Sequence, residues 1–113
     1  TYPVGMDIQV FATDVLADVA NRTNDPHDRE HVSLYIYRHP EIYSLKNIPA
    51  SAAFTRADLG LTLDTQADFE LLQIIFEKLY PINPSFGLSE IIALIDGNPN
   101  LANINAHVRR DHV

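Results

Sequence analysis

The sequence has no cysteine, no tryptophan, only four glycines and only eight lysines and arginines. Without cysteine there can be no disulfide, no thiolate zinc site and no cysteine nucleophile, and the composition is compatible with a cytoplasmic setting. Those eight basic residues face fifteen aspartates and glutamates, for a formal charge of −7. That balance excludes a broad phosphate-tracking surface, so nucleic acid is not an expected partner. A mononucleotide stays open, because a metal ion can bridge carboxylates to phosphates. No apolar run approaches the ~20 residues of a membrane span, no signal-peptide pattern is present, and no membrane partner is expected. The glycines are scattered at Gly5, Gly60, Gly87 and Gly97. They build neither a glycine-rich phosphate cradle nor a nucleophile elbow.

What is present is 113 residues, 46% of them hydrophobic, enough for one domain or a piece of a larger one. The chain begins with Thr1 and runs almost at once into a strand-like pattern, as if it started within a protein. "YPVG" reads as a turn through Pro3 and Gly5. "MDIQVF" alternates, with Met6, Ile8 and Val10 on one face of a half-buried strand. Thr13 can cap a helix through about Arg22. Asp25 can cap a second, with Pro26 at its first position, and Pro40 ends it near Arg38. "IYSLKNI" and "LGLTL" read as further strands. Residues 65 to 80 give the clearest helix, with a stripe of Phe69, Leu72, Phe76 and Leu79 that Leu71 and Ile75 widen. A helix beginning at or just before Ser89 stops at Gly97, and a helical turn and a tail close the chain. Strand followed by helix, repeated, predicts an α/β fold: a few strands in a mixed sheet packed with about four to five helices.

The stretch "LGLTLDTQADFELL", residues 59 to 72, poses a local question. Thr65 with Asp68 forms a capping-box variant, which already satisfies the helix start. Asp64 is left over, at the carboxyl end of the expected strand, where open α/β sheets bind ligands. It either makes a turn hydrogen bond and favours the helix dipole, or it holds a metal ion. In "HDREH", His27 and His31 are spaced to share a helix face. A zinc-hydrolase helix needs glutamate where Asp28 stands, and a third ligand is not evident nearby. A small phosphohydrolase built on His27, Asp28 and His31 therefore lacks ligands. Arg29 can grip a carboxylate or phosphate through two parallel hydrogen bonds, or simply pair with Asp25 or Asp28 at the surface. Asp7 interrupts a strand pattern, as an exposed residue or as an acceptor for a polyol substrate.

Three stretches, "YPVGMDIQVF", "DPHDREHVSLYIYRHPE" and "LTLDTQADFELLQIIFEKLYP", with the tail "NPNLANINAHVRR", resemble the C-terminal half of the spore coat polysaccharide biosynthesis protein F family. These are cytidylyltransferases related to the CMP-KDO and CMP-sialate synthetases. The resemblance covers nearly the whole chain. It implies that residues 1 to 113 are the C-terminal part of a single domain with a nucleotide-diphospho-sugar transferase-like fold. It also implies activation of a sugar or sugar acid by CTP, release of pyrophosphate and a requirement for magnesium. The family's CTP-binding loop, rich in Arg, Ser, Pro and Lys, has no counterpart here, so the chain alone is expected to be inactive. The first Asp of the family's V-D-T-x-x-D stretch falls on Asp64, as a magnesium ligand. The segment lining the sugar pocket falls on Tyr2 to Asp7. From their chemistry, Arg29 is assigned to the reacting anion and His31, with Tyr2 and Asp7, to substrate binding. "LTLDT" carries leucine where relatives often have Val or Trp, which touches packing alone. The competing expectation is a non-catalytic interaction or dimerisation domain on the same scaffold. Under either expectation a homo-oligomer is anticipated.

Overall fold

The computed structural model describes residues 1–110. Six α-helices follow one another: α1 (Thr13–Arg22), α2 (Pro26–Glu30), α3 (Leu34–Arg38), α4 (Gln66–Leu79), α5 (Leu88–Gly97) and α6 (Asn100–Asn103), with a 3₁₀ turn at Ala52–Phe54. The chain divides into two compact units, one formed by Thr1–Asp7 with Pro49–Arg110 and the other by Ile8–Ile48.

The expected mixed sheet does not form, and the α/β assignment is corrected to a helical one. Among the described residues the one β-bridge is the parallel contact of Val4 with Gly60, made by Val4 N–H to Leu59 O at 2.9 Å and Leu61 N–H to Val4 O at 2.8 Å. The physical reason is that alternation marks a strand only where a neighbour accepts its backbone hydrogen bonds. Among the described residues "MDIQVF" and "IYSLKNI" have no such neighbour. Their apolar side chains stand in solvent, with Ile8 86%, Val10 91% and Ile48 74% exposed. In "LGLTL" the alternation does sort the faces, burying Leu59 and Leu61, but Leu63 is already exposed.

In the first unit, α4 and α5 enclose a core of Leu59, Leu61, Leu71, Ile75, Ile91, Ile92 and Ile95. The buried stripe of α4 is Asp68, Leu71 and Ile75, rotated from the expected one. Phe69 and Phe76 flank it and stay about half exposed, Phe76 meeting Phe86 edge-on with ring centroids 5.1 Å apart. Gly87 holds the cap position before α5, and its N–H donates to the Glu90 carboxylate at 2.9 Å. The helix ends without the left-handed residue expected at Gly97: among the described residues the one with positive φ is Gly5, at 94°. A Cβ on Gly5 would lie 2.7 Å from Leu61 O, so the 3–5 turn can run this close to 61–62 only with glycine there.

In the second unit, Val19, Leu34 and Ile36 are the buried apolar side chains. Thr13 is the first helical residue of α1 rather than its cap; Ala12 holds the cap position without a side-chain bond. Asp25 caps α2 as expected, accepting from His27 N–H at 2.8 Å, with Pro26 at the first position. The single helix expected up to Arg38 is two, because the chain turns at residues 31–33 before α3.

Candidate functional site

The capping box at the start of α4 is present: Thr65 Oγ accepts from Asp68 N–H at 3.2 Å. Asp68, however, does far more than cap. Its side chain is 0% exposed, on the apolar stripe of α4. A carboxylate there must be paired or its charge is prohibitively desolvated. The partners come from the end of the chain. Arg110 Nη1 and Nη2 donate to the two Asp68 oxygens at 3.1 and 2.5 Å, in the two-pronged geometry that suits guanidinium and carboxylate. Asn105 Nδ2 donates to Oδ1 at 2.8 Å and to Gly60 O at 2.9 Å. The N–H groups of Asp64 and Thr65 donate to Oδ2, both at 3.0 Å. Gly60 leaves the space for this: a Cβ there would lie 2.7 Å from Arg110 Nη2. The Arg110 guanidinium holds the Asp68 carboxyl well below the usual carboxylate range; burial opposes this, while the Asn105 amide and the two backbone N–H groups reinforce it.

Asp64 lies at the rim of this node. Its Oδ2 accepts from Arg110 Nη1 at 3.1 Å, while its side chain remains 63% exposed. The two carboxylates, Asp64 and Asp68, face the single Arg110 guanidinium, so one negative charge is left over at the exposed edge. Oδ1 of Asp64 has no hydrogen-bond partner among the described residues. An exposed, oriented carboxylate oxygen with surplus negative charge fits magnesium, which is commonly held by one or two carboxylates with water and phosphate oxygens filling its other positions.

The other expected site residues divide between the two units. Tyr2 is half-buried, stacked on Phe54 at 6.5 Å. Asp7 is exposed. Both flank the segment whose Val4 is hydrogen-bonded to residues 59 and 61, so they share a unit with Asp64. Arg29 and His31 belong to the Ile8–Ile48 unit. Arg29 does not pair with Asp25 or Asp28, the bland alternative for it; its Nη2 donates to Asn24 Oδ1 at 2.9 Å. Asp28 instead accepts from the Thr23 hydroxyl at 2.7 Å. In the same unit Asp18 accepts from Arg22 Nε at 2.7 Å and from the Tyr43 hydroxyl at 2.8 Å, and Arg22 foremost draws its carboxyl below the ordinary value.

Sequence reasoning missed Asp68, Asn105 and Arg110 as a unit. One signal was available: Asp68 stands three residues before Leu71 and seven before Ile75, on the face that periodicity buries. A carboxylate in that row demands a cation, and Arg110 is one of only eight basic residues.

Two relatives bear on what this arrangement serves. The chain is 31% identical over 107 residues to the uncharacterized protein MJ1063 of Methanocaldococcus jannaschii, covering 95% of this chain and 43% of that protein. It is 31% identical over 101 residues to the spore coat polysaccharide biosynthesis protein SpsF of Bacillus subtilis, covering 88% of this chain and 42% of that protein. The chain thus spans less than half the length of the curated relatives it matches. No protein-family model matches, and no solved structure matches. Among the described residues no helix is long and apolar enough to cross a membrane.

Proposed function

We propose that this chain is the C-terminal part of a nucleotidyltransferase of the cytidylyltransferase kind, which activates a sugar or sugar acid with CTP and releases pyrophosphate. On this reading it serves surface-polysaccharide synthesis. The observation that carries the reading is the similarity to SpsF along 88% of the chain, which includes the Asp64–Asp68 segment singled out by the family motif. The geometry supports it: the buried Asp68–Arg110 pair fixes the backbone of residues 64 and 65 and orients Asp64 outward.

In the reaction a sugar oxygen attacks the α-phosphorus of CTP and pyrophosphate leaves. Magnesium, when bound, screens the phosphate charge. Asp64 supplies a carboxylate ligand, and Arg110 keeps that carboxylate in one orientation. Tyr2 and Asp7 line the sugar side, with Asp7 accepting from hydroxyls. Within the Ile8–Ile48 unit, Arg29 offers its planar fork to an anionic group, with His31 as a neighbouring hydrogen-bonding group. The protein's contribution is position and electrostatics, as in other phosphoryl transfers. The test is pyrophosphate release by the protein containing this chain, given CTP, magnesium and a panel of sugars and sugar acids. Release that requires one sugar and CTP supports the reading; background release with every sugar overturns it.

A second reading, an interaction or dimerisation role, is favoured by one observation. Ile8, Val10 and Ile48, all in the Ile8–Ile48 unit, are 86%, 91% and 74% exposed. Exposed apolar side chains serve association where they gather in one patch, and on this reading these three contribute to such a patch. A homo-oligomer in light scattering that falls to monomer with Val10→Asp supports it, and a monomer at every concentration removes it.

A further inference from the structure

The Ile8–Ile48 unit carries a second cluster of ligating groups. Asp25 and Pro26 fix the start of α2, and His31 N–H donates to His27 O at 3.0 Å, closing the turn. His27, Glu30 and His31 then project from one side of that turn, as their three- and four-residue spacings require. Their ring nitrogens and a carboxylate oxygen all lie within 4.8 Å of one another. Nε2 of His31 is 4.0 Å from Oε2 of Glu30, and the two imidazole centroids are 4.7 Å apart, edge to face. The third ligand is therefore Glu30, not the Asp28 that the linear motif brings to mind, since Thr23 holds Asp28. The nearest cationic side chain on the turn, Arg29, is hydrogen-bonded to Asn24 instead of the cluster's own carboxylate.

We propose that His27, Glu30 and His31 bind one divalent transition-metal ion of the zinc class. Two imidazoles and a carboxylate are a ligand set that zinc accepts, at about 2.0–2.2 Å per bond. Tetrahedral bonds of that length put ligand atoms roughly 3.3 Å apart. Reaching that from the present separations takes side-chain rotation alone, which is open to Glu30 and His31 at 74% and 37% exposure. Imidazole ligands favour zinc, nickel and copper, whereas magnesium favours oxygen, so this centre is chemically distinct from the Asp64 carboxylate. Three protein ligands leave a fourth position for water or for an anionic oxygen. The proposal shares His31 with the substrate role proposed above, but it concerns metal binding alone, which the titration below reads without any turnover.

The experiment is calorimetric titration of the metal-stripped protein with zinc chloride, in a buffer that does not chelate. One saturable ion per chain is expected. His27→Ala, Glu30→Gln and His31→Ala should each weaken binding by about tenfold or more, while Asp28→Asn and His39→Ala leave it unchanged. Magnesium chloride should not compete. Cobalt(II) gives a second readout on the unmutated protein, free of any folding effect of the substitutions: an intense visible band from low-symmetry imidazole and carboxylate coordination. A weak, water-like cobalt spectrum, no saturable zinc binding, or binding that survives all three substitutions would each overturn the proposal.

Discussion

Replacing Asp68 with asparagine keeps the shape of the side chain and removes its charge. The consequences follow from what surrounds it. Five hydrogen bonds converge on the carboxylate: two from Arg110, one from Asn105 and one from each of the Asp64 and Thr65 N–H groups. An amide turns one acceptor oxygen into a donor, which then faces another donor in every orientation. The side chain is 0% exposed and Arg110 is 13% exposed, so solvent cannot replace the lost bonds, and the guanidinium keeps only the exposed Asp64 carboxylate as a counter-charge. Breaking a buried pair of this kind costs about 3–5 kcal/mol, a large part of the 5–15 kcal/mol that stabilises an ordinary domain. The assay is urea unfolding followed by circular dichroism, with Asp64→Asn as the reference. Asp64 is 63% exposed, and its share of Arg110 should be worth under about 1 kcal/mol. If Asp68→Asn costs no more than Asp64→Asn, the buried node does not hold this unit together.

The same node makes two further predictions, and the second unit a third. Because the folded pKa of Asp68 lies below its ordinary value of 3.8, its stabilisation is fully present above that pH. It is lost as the pH falls below it, so acid titration of wild type should show a decline that Asp68→Asn lacks. Gly60→Ala would set a methyl 2.7 Å from Arg110 Nη2 and should cost about 1–3 kcal/mol. In an Arg110→Ala background most of that cost should vanish, and a full cost there would refute the steric account. Arg29→Lys keeps the charge but loses the planar fork. It should raise KM for the sugar more than for CTP, and an unmoved sugar KM would leave Arg29 with only its Asn24 contact.

The starts of α2 and α4 were legible because their signals are local. Asp25 with Pro26, and Thr65 with Asp68, fall within one turn of the bonds they make. The sheet was not legible, because alternation in "MDIQVF" reports a side-chain pattern and says nothing of whether a ladder partner exists. The α2–α3 break was missed since residues 31–33 carry no glycine or proline to announce it. For the candidate site, the oddness of Asp64 could be read, but its physical setting could not. Arg110 lies 46 residues beyond it, and no periodicity links the two. The buried node was half legible: a carboxylate in the row of Leu71 and Ile75 announces that a partner exists without naming it.

Asp64→Asn in the protein containing this chain, measured for pyrophosphate release and for stability on the same preparation, tests the account most directly. The proposed nucleotidyl transfer predicts an intact fold, a heavy loss of kcat and partial recovery at high magnesium. Full activity per folded molecule, with stability lowered by about a kcal/mol as for a lost helix-start contact, would contradict it and leave Asp64 as a partner of Arg110 alone.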